Sequence, residues 1–146
     1  MRNARQLCIA ILFITAICGL AGGIVLIQDP SGHSLRMLTD NLRGTPFIDY
    51  SVPGWILLIA IGGFSALAAI VSLTHHKSYP YLMMTEGAIL FIWILIQIEM
   101  IRELNFLQFV FALFGVALFL LGNLIRRSKK HGSGPSQHFK RKQQHY

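Results

Sequence analysis

Charge is scarce in this sequence. Asp, Glu, Lys and Arg make up 13% of its 146 residues, about half the share of an ordinary soluble domain. Cysteine is scarcer: there are only Cys8 and Cys18, both in the first apolar run. Along a helix they stand roughly 15 Å apart, beyond the roughly 4.4–6.8 Å that a disulfide spans between Cα atoms. There is no Cys-x-x-Cys, so thiol–quinone redox chemistry has no cysteine pair to use. The two thiols read as small apolar side chains. All six histidines fall in expected loops or the C-terminal tail. A haem bundle needs histidines within its helices, on facing walls, so no haem is expected. No spacing of potential ligands matches a metal motif, and no catalytic constellation is visible. The reading is of a protein with no catalysis of its own and no metal or other cofactor.

What is abundant is uncharged hydrocarbon. Hydrophobic residues make up 53% of the chain and its mean hydropathy is +0.54. Leu7 to Ile27 is a run of 21 residues without a charge, long enough as a helix to cross about 30 Å of bilayer. It exceeds a signal-peptide core and continues past the small residues Ala21-Gly22-Gly23, so the segment reads as a retained span. Further spans are expected at about 52–73, 79–101 and 106–125. Pro53 and Pro80 stand near the starts of the second and third, where a missing N–H costs nothing, and Asn105 is placed to cap the fourth. The expected fold is all-α: a four-helix transmembrane bundle covering residues 1–126.

Lys and Arg fix the expected orientation. With the N-terminus inside, the inner segments hold Arg2, Arg5, Lys77, Arg126, Arg127, Lys129, Lys130, Lys140, Arg141 and Lys142. The outer segments hold Arg36, Arg43 and Arg102. This is a positive-inside pattern, and it puts both termini in the cytoplasm. Residues 127–146 contain Gly132-Ser133-Gly134-Pro135-Ser136 between two basic clusters and no acid. They are expected to be a disordered tail. The seven cations from Arg126 onward would contact anionic lipid headgroups. Aromatic stacking platforms are too few for nucleic-acid binding.

The outer loop, residues 28–51, is too patterned to be a plain connector. Leu35, Leu38 and Leu42 follow helical spacing, with Ser34 at the start and Gly44 and Pro46 at the end. Arg36, Asp40 and Arg43 are spaced for i,i+4 and i,i+3 ion pairs on the opposite face. The pattern predicts a short interfacial helix. Asp29, Arg36, Asp40, Arg43, Asp49 and Tyr50 are the candidates for interaction on this side, with a hydrogen-bonded cap over the bundle preferred to a ligand site.

Within the spans, Glu86 is the informative residue. An ionisable side chain about 9 Å inside the third span has to face the bundle, a partner or a water-filled cavity. Helical steps carry the same face through Leu90, Trp93, Gln97 and Met100. Glu86, Trp93 and Gln97 are therefore the candidate intramembrane site, and Thr15, Ser65 or Arg126 are the expected partners of the carboxyl. Gly19 and Gly23, with Gly62, Ser65, Ala66 and Ala69 in the second span, have the small-x-x-x-small spacing that lets helix backbones approach closely.

The loop and its flanks read Asp29-Pro30-Ser31-Gly32, then Thr45-Pro46-Phe47-Ile48-Asp49-Tyr50, then Val52-Pro53-Gly54. Together with Trp93 and Gln97 this resembles a family of small bacterial four-helix membrane proteins, over roughly residues 7 to 125. The resemblance implies a multi-pass protein of the bacterial plasma membrane with the topology above, and no catalytic role. Two functions remain in view. One is an accessory or assembly protein whose helices and outer loop contact another membrane protein or a second copy. The other is a small binder or carrier of a lipid, quinone or proton that uses the Glu86–Trp93–Gln97 face.

Overall fold

Backbone polar groups inside hydrocarbon must be satisfied within their own segment, so apolar runs of this length become helices. A computed structural model describes residues 2–102 and 104–132. In it α1 spans Arg2–Gln28, α2 Ser51–Leu73, α3 Tyr79–Ile101 and α4 Phe106–Gly132. Each is long and apolar enough to cross a membrane, and the described residues contain no strand. The four form the transmembrane bundle expected from the sequence.

The tail is the first correction. It was expected to lose order from residue 127, but α4 runs on through Arg127, Ser128, Lys129, Lys130 and His131 to Gly132. Charge ends a membrane span without ending a helix. Lys and Arg are good helix formers, and cations at a helix C-terminus oppose its negative dipole end. Lys140, Arg141 and Lys142 lie outside the described residues. At the other end of α4 the expected Asn105 cap is reversed. Gln108 reaches back, and its Oε1 accepts the Asn105 N–H at 3.1 Å, as the third-position residue of a capping box does.

The bundle consists of two tight antiparallel hairpins, α1 with α2 and α3 with α4, lying against each other more loosely. Glycine makes both hairpins tight. A Cβ on Gly19 would stand 2.6 Å from the Gly62 nitrogen, and one on Gly87 would stand 2.6 Å from the Gly115 oxygen. Both glycines of the first contact lie in small-residue spacings that the sequence displays, although it does not display their pairing. The second pairs glycines that no short-range motif links. α2 is not uniform: Leu57–Gly63 winds as a π-helical stretch, and it carries Gly62 into the α1 contact. The outward faces are apolar, with Ile17, Ile59, Ile92 and Leu113 among the exposed side chains. A bundle solvated by lipid has this character.

The outer loop departs from the single helix expected at Leu35–Leu42. It forms two 3₁₀ turns, His33–Leu35 and Thr39–Leu42, separated by Arg36 in the left-handed region at φ 56°. Asp29 is the physical reason. Its carboxylate accepts the Ser34 N–H at 2.9 Å, the Ser34 hydroxyl at 2.7 Å and the Ser31 hydroxyl. The residue expected to cap a helix is thereby tied into a turn. Only Leu42 of the three spaced leucines is buried; Leu35 and Leu38 face outward. The loop still caps the bundle. Leu42 and Tyr50 pack with Leu26 of α1 and Met100 of α3, and Tyr50 donates its hydroxyl to the Leu38 carbonyl at 2.9 Å.

The Ser31 and Ser34 hydroxyls and the Ser34 N–H hold the Asp29 carboxyl at about 2, well below its ordinary value. These bonds need the carboxylate. The stability they give the loop is therefore fully present above the ordinary aspartate value of about 4, and is lost as pH falls through about 2. Hydrogen exchange at the Ser34 amide should show constant protection from neutral pH to about 4, with loss below that. Asp29→Asn should lower the protection and flatten this dependence. A variant that follows the wild-type curve would contradict the assignment.

Candidate functional site

Hydroxyls inside the spans mostly satisfy themselves. Thr15 donates to the Ile11 carbonyl at 2.8 Å, Ser72 to Ala68 at 2.6 Å and Thr85 to Tyr81 at 2.8 Å, each one helical turn back. Ser65 is different. Its hydroxyl crosses from α2 to α3 and donates to Glu86 Oε1 at 2.5 Å, with both residues fully buried. The second carboxyl oxygen, Oε2, has no hydrogen-bond partner among the described residues. Thr15 is turned to its own helix, and Arg126 bonds Asn123 Oδ1 at 3.0 Å. Of the three expected partners, only Ser65 engages the carboxyl, and it joins one hairpin to the other.

One turn further along α3 the hairpins part. A cavity of about 190 Å³ lies between them, lined from α1 by Thr15, Cys18 and Gly19 and from α2 by Leu57 and Ile61. Trp93 and Gln97 of α3 and Gln108 and Phe111 of α4 form much of the opposite wall. The π-helical stretch of α2 supplies both of its wall residues, and such stretches recur at functional sites. Cys18 is exposed, so the cavity reaches the lipid beside α1. Two polar groups in this wall are incomplete. The Trp93 indole Nε1–H and the Gln108 amide Nε2 have no hydrogen-bond partner among the described residues, although the side chains are only 4% and 5% exposed. Both atoms are donors, and an unmet donor in hydrocarbon costs about 1–3 kcal/mol.

The stripe expected on α3 has Glu86 and Trp93 buried and Gln97 half-buried, and it serves two places. Glu86 belongs to the polar clasp with Ser65, while Trp93 and Gln97 belong to the cavity. Gln97 is half-buried and shares the cavity wall with Gln108. The position of Gln108 in the first turn of α4 opposite Trp93 depends on how the hairpins meet, which no local pattern reveals.

The outer-loop candidates are largely spent on the loop itself. Asp29 ties the first turn, and Asp49 Oδ1 accepts the Ser51 N–H at 2.9 Å where α2 begins. Arg43 pairs with Asp40 at 3.3 Å, and Arg102 reaches the Arg43 carbonyl at 3.3 Å. Arg36 makes no pair with Asp40; it is exposed and terminates the first turn. Tyr50 is buried, and burial raises the pKa of its hydroxyl. Among the described residues no three His, Cys, Asp or Glu side chains come together as a metal site.

Comparison with known proteins returned no match to a family model, to a curated protein or to a solved structure.

Proposed function

We propose that this protein binds a small uncharged apolar molecule bearing a carbonyl acceptor, a quinone-type ring above all, in the cavity between its hairpins, and that it does so without catalysis of its own. One observation carries this reading: Trp93 and Gln108, whose Nε1 and Nε2 donors are buried without a partner among the described residues, both belong to the wall of the same apolar cavity. A carbonyl oxygen has two lone pairs and can accept from both. A cavity of about 150 Å³ accommodates a benzene-sized molecule, so 190 Å³ suits one substituted ring, with any tail leaving past Cys18 into lipid. We place the protein in the bacterial plasma membrane on the resemblance of its outer-loop residues, and both termini in the cytoplasm on the distribution of Lys and Arg.

The test uses Trp93 as its own reporter. In a Trp55→Phe background it is the sole tryptophan. Titration with a short-tailed benzoquinone in nanodiscs should quench its emission saturably. Gln108→Leu should weaken the apparent affinity about tenfold, the worth of one hydrogen bond of about 1.4 kcal/mol. Quenching that never saturates, or that Gln108→Leu leaves unchanged, would mean simple partitioning into lipid and would end the proposal. The accessory reading is favoured by a different observation: Ile48 stands 95% exposed on the ordered outer loop. A stoichiometric membrane-protein partner, lost in Ile48→Ser while the cavity stays empty, would make that reading the leading one.

A further inference from the structure

Resting on the reading of the cavity as a quinone site, we infer that it holds the oxidised, carbonyl form of its ligand in preference to the reduced, hydroxyl form. The positioning group is the backbone N–H of Asn105, which fixes the end of the Gln108 amide that is free to meet a ligand. N–H donors alone would bind either form. Selectivity comes from the lack of an acceptor beside them.

A carboxamide carries an N–H donor and a C=O acceptor and, where nothing holds it, turns to present whichever a ligand requires. Gln108 is held. Its Oε1 accepts the Asn105 N–H at 3.1 Å, and its own backbone N–H donates to the Asn105 carbonyl at 3.0 Å. Only an acceptor can meet a backbone N–H, so turning the amide over would set donor against donor and remove the cap from the start of α4. The end left over is Nε2, buried and without a hydrogen-bond partner among the described residues. The bond that starts the helix therefore makes Gln108 a donor towards anything the cavity holds.

Trp93 is restricted by its chemistry. An indole nitrogen donates and never accepts, and Nε1 is likewise buried and without a partner among the described residues. Trp93 comes from α3 and Gln108 from α4, and both belong to the wall of the one cavity. A quinone oxygen has two lone pairs and no proton, so it can accept from both donors at once. A quinol oxygen carries a proton of its own. Set against two donors it can accept from one, while its proton is aimed at the other and finds no acceptor there. A site of matched donors rejects a partner whose polar group is left unpaired far more strongly than it rejects a small change in size. The ring's second oxygen points away from these donors in both forms, and comparison with Gln108→Leu removes its contribution. Gln97 is the other amide in the wall, half-buried and one turn further along α3, and it serves as the control.

The experiment measures both forms of one compound against the full chain in nanodiscs, under argon. A short-tailed benzoquinone is titrated by the quenching of Trp93 in the Trp55→Phe background, and its own hydroquinone is titrated as the competitor. The quinone should bind about tenfold tighter or more, which lowers the midpoint potential of the bound couple by about 30 mV or more. Gln108→Leu should weaken the quinone about tenfold and leave the hydroquinone within about twofold, so that the preference collapses. Asn105→Pro removes the N–H that holds the amide and leaves the amide itself in place. Gln108 can then turn its oxygen to the quinol, and the hydroquinone should bind about threefold tighter than in the wild type. A gain of affinity does not arise from a damaged fold, and Gln108→Leu carries the test if Asn105→Pro does not assemble. Gln97→Leu should keep the preference. If the quinone shows no saturable binding, the carbonyl-binding reading fails and the selectivity falls with it. If the quinone binds saturably but the hydroquinone binds as well, or Gln108→Leu weakens both forms alike, that reading stands and the selectivity is overturned. A preference lost in Gln97→Leu and kept in Gln108→Leu would likewise overturn the role given to the Asn105–Gln108 pair.

Discussion

Two adjacent glycines in α2 are expected to respond to the same substitution in opposite directions. Gly62→Ala should destabilise the bundle, and Gly63→Ala should leave it unchanged or slightly firmer. A Cβ at Gly62 would stand 2.6 Å from the Leu20 nitrogen and 3.0 Å from the Gly19 carbonyl carbon. Both are backbone atoms of α1, which no rotamer change can move aside. At Gly63 the nearest atom is the Leu58 oxygen at 3.5 Å, an ordinary contact, and the backbone is already helical at φ −65° and ψ −44°. Overpacking of a tight contact costs about 1–3 kcal/mol, while alanine gains up to about 1 kcal/mol over glycine inside a helix. The first term wins at Gly62 and is absent at Gly63. Gly62→Leu removes any prospect of accommodation, and a loss of about 3 kcal/mol or more is expected, enough to part α1 from α2. Reversible unfolding in mixed detergent micelles measures all three variants. If Gly62→Ala and Gly63→Ala unfolded alike, the close α1–α2 approach would not be the structure's tightest constraint.

That contact also marks how far the sequence could be read. The spans were legible because hydrocarbon imposes a local rule: a run without charge, about 20 residues long, must be helix. The third span was placed at its observed bounds, and Gly19 and Gly62 were each marked by the spacing of small residues on their own helices, though not as partners. Gly87 and Gly115 carry no such mark, because neither has a small residue four positions away. The outer loop misled for a related reason. Leucines at helical spacing permit a helix, but a single well-bonded carboxylate, Asp29, diverts the chain before one can start. The left-handed Arg36 leaves no signature in the sequence. The cavity was the least legible feature. It is a gap between two hairpins, and its wall combines residues from all four helices whose mutual register only tertiary packing decides. Composition pointed to a polar-aromatic stripe on α3. It gave no sign that the stripe would divide between a clasp at Glu86 and a binding wall at Trp93.

This division makes Glu86→Gln the most discriminating change in the molecule. Glu86 forms no ion pair with a described residue, and its one hydrogen bond comes from a neutral hydroxyl. An uncompensated carboxylate buried in hydrocarbon is costly, so the form that fits this environment is the neutral acid. Glutamine matches the neutral acid in size and retains an oxygen to accept from Ser65. Glu86→Gln is therefore expected to unfold within about 1 kcal/mol of wild type, the scale of one interhelical hydrogen bond in a membrane. Glu86→Ala leaves a void and strands the Ser65 hydroxyl, and should cost about 2–5 kcal/mol. Ser65→Ala removes the clasp from the other side at about 1–2 kcal/mol. In the double variant Ser65→Ala/Glu86→Ala the losses should sum to less than the two single effects, because the same bond is counted in both. The functional readout separates the possibilities further. Glu86 does not line the cavity, so Glu86→Gln should bind the benzoquinone with wild-type affinity while Gln108→Leu does not. If Glu86→Gln instead abolished binding without loss of stability, the carboxyl would belong to the ligand site after all, and the two hairpins would have to close around a molecule reaching one turn deeper than the cavity between them.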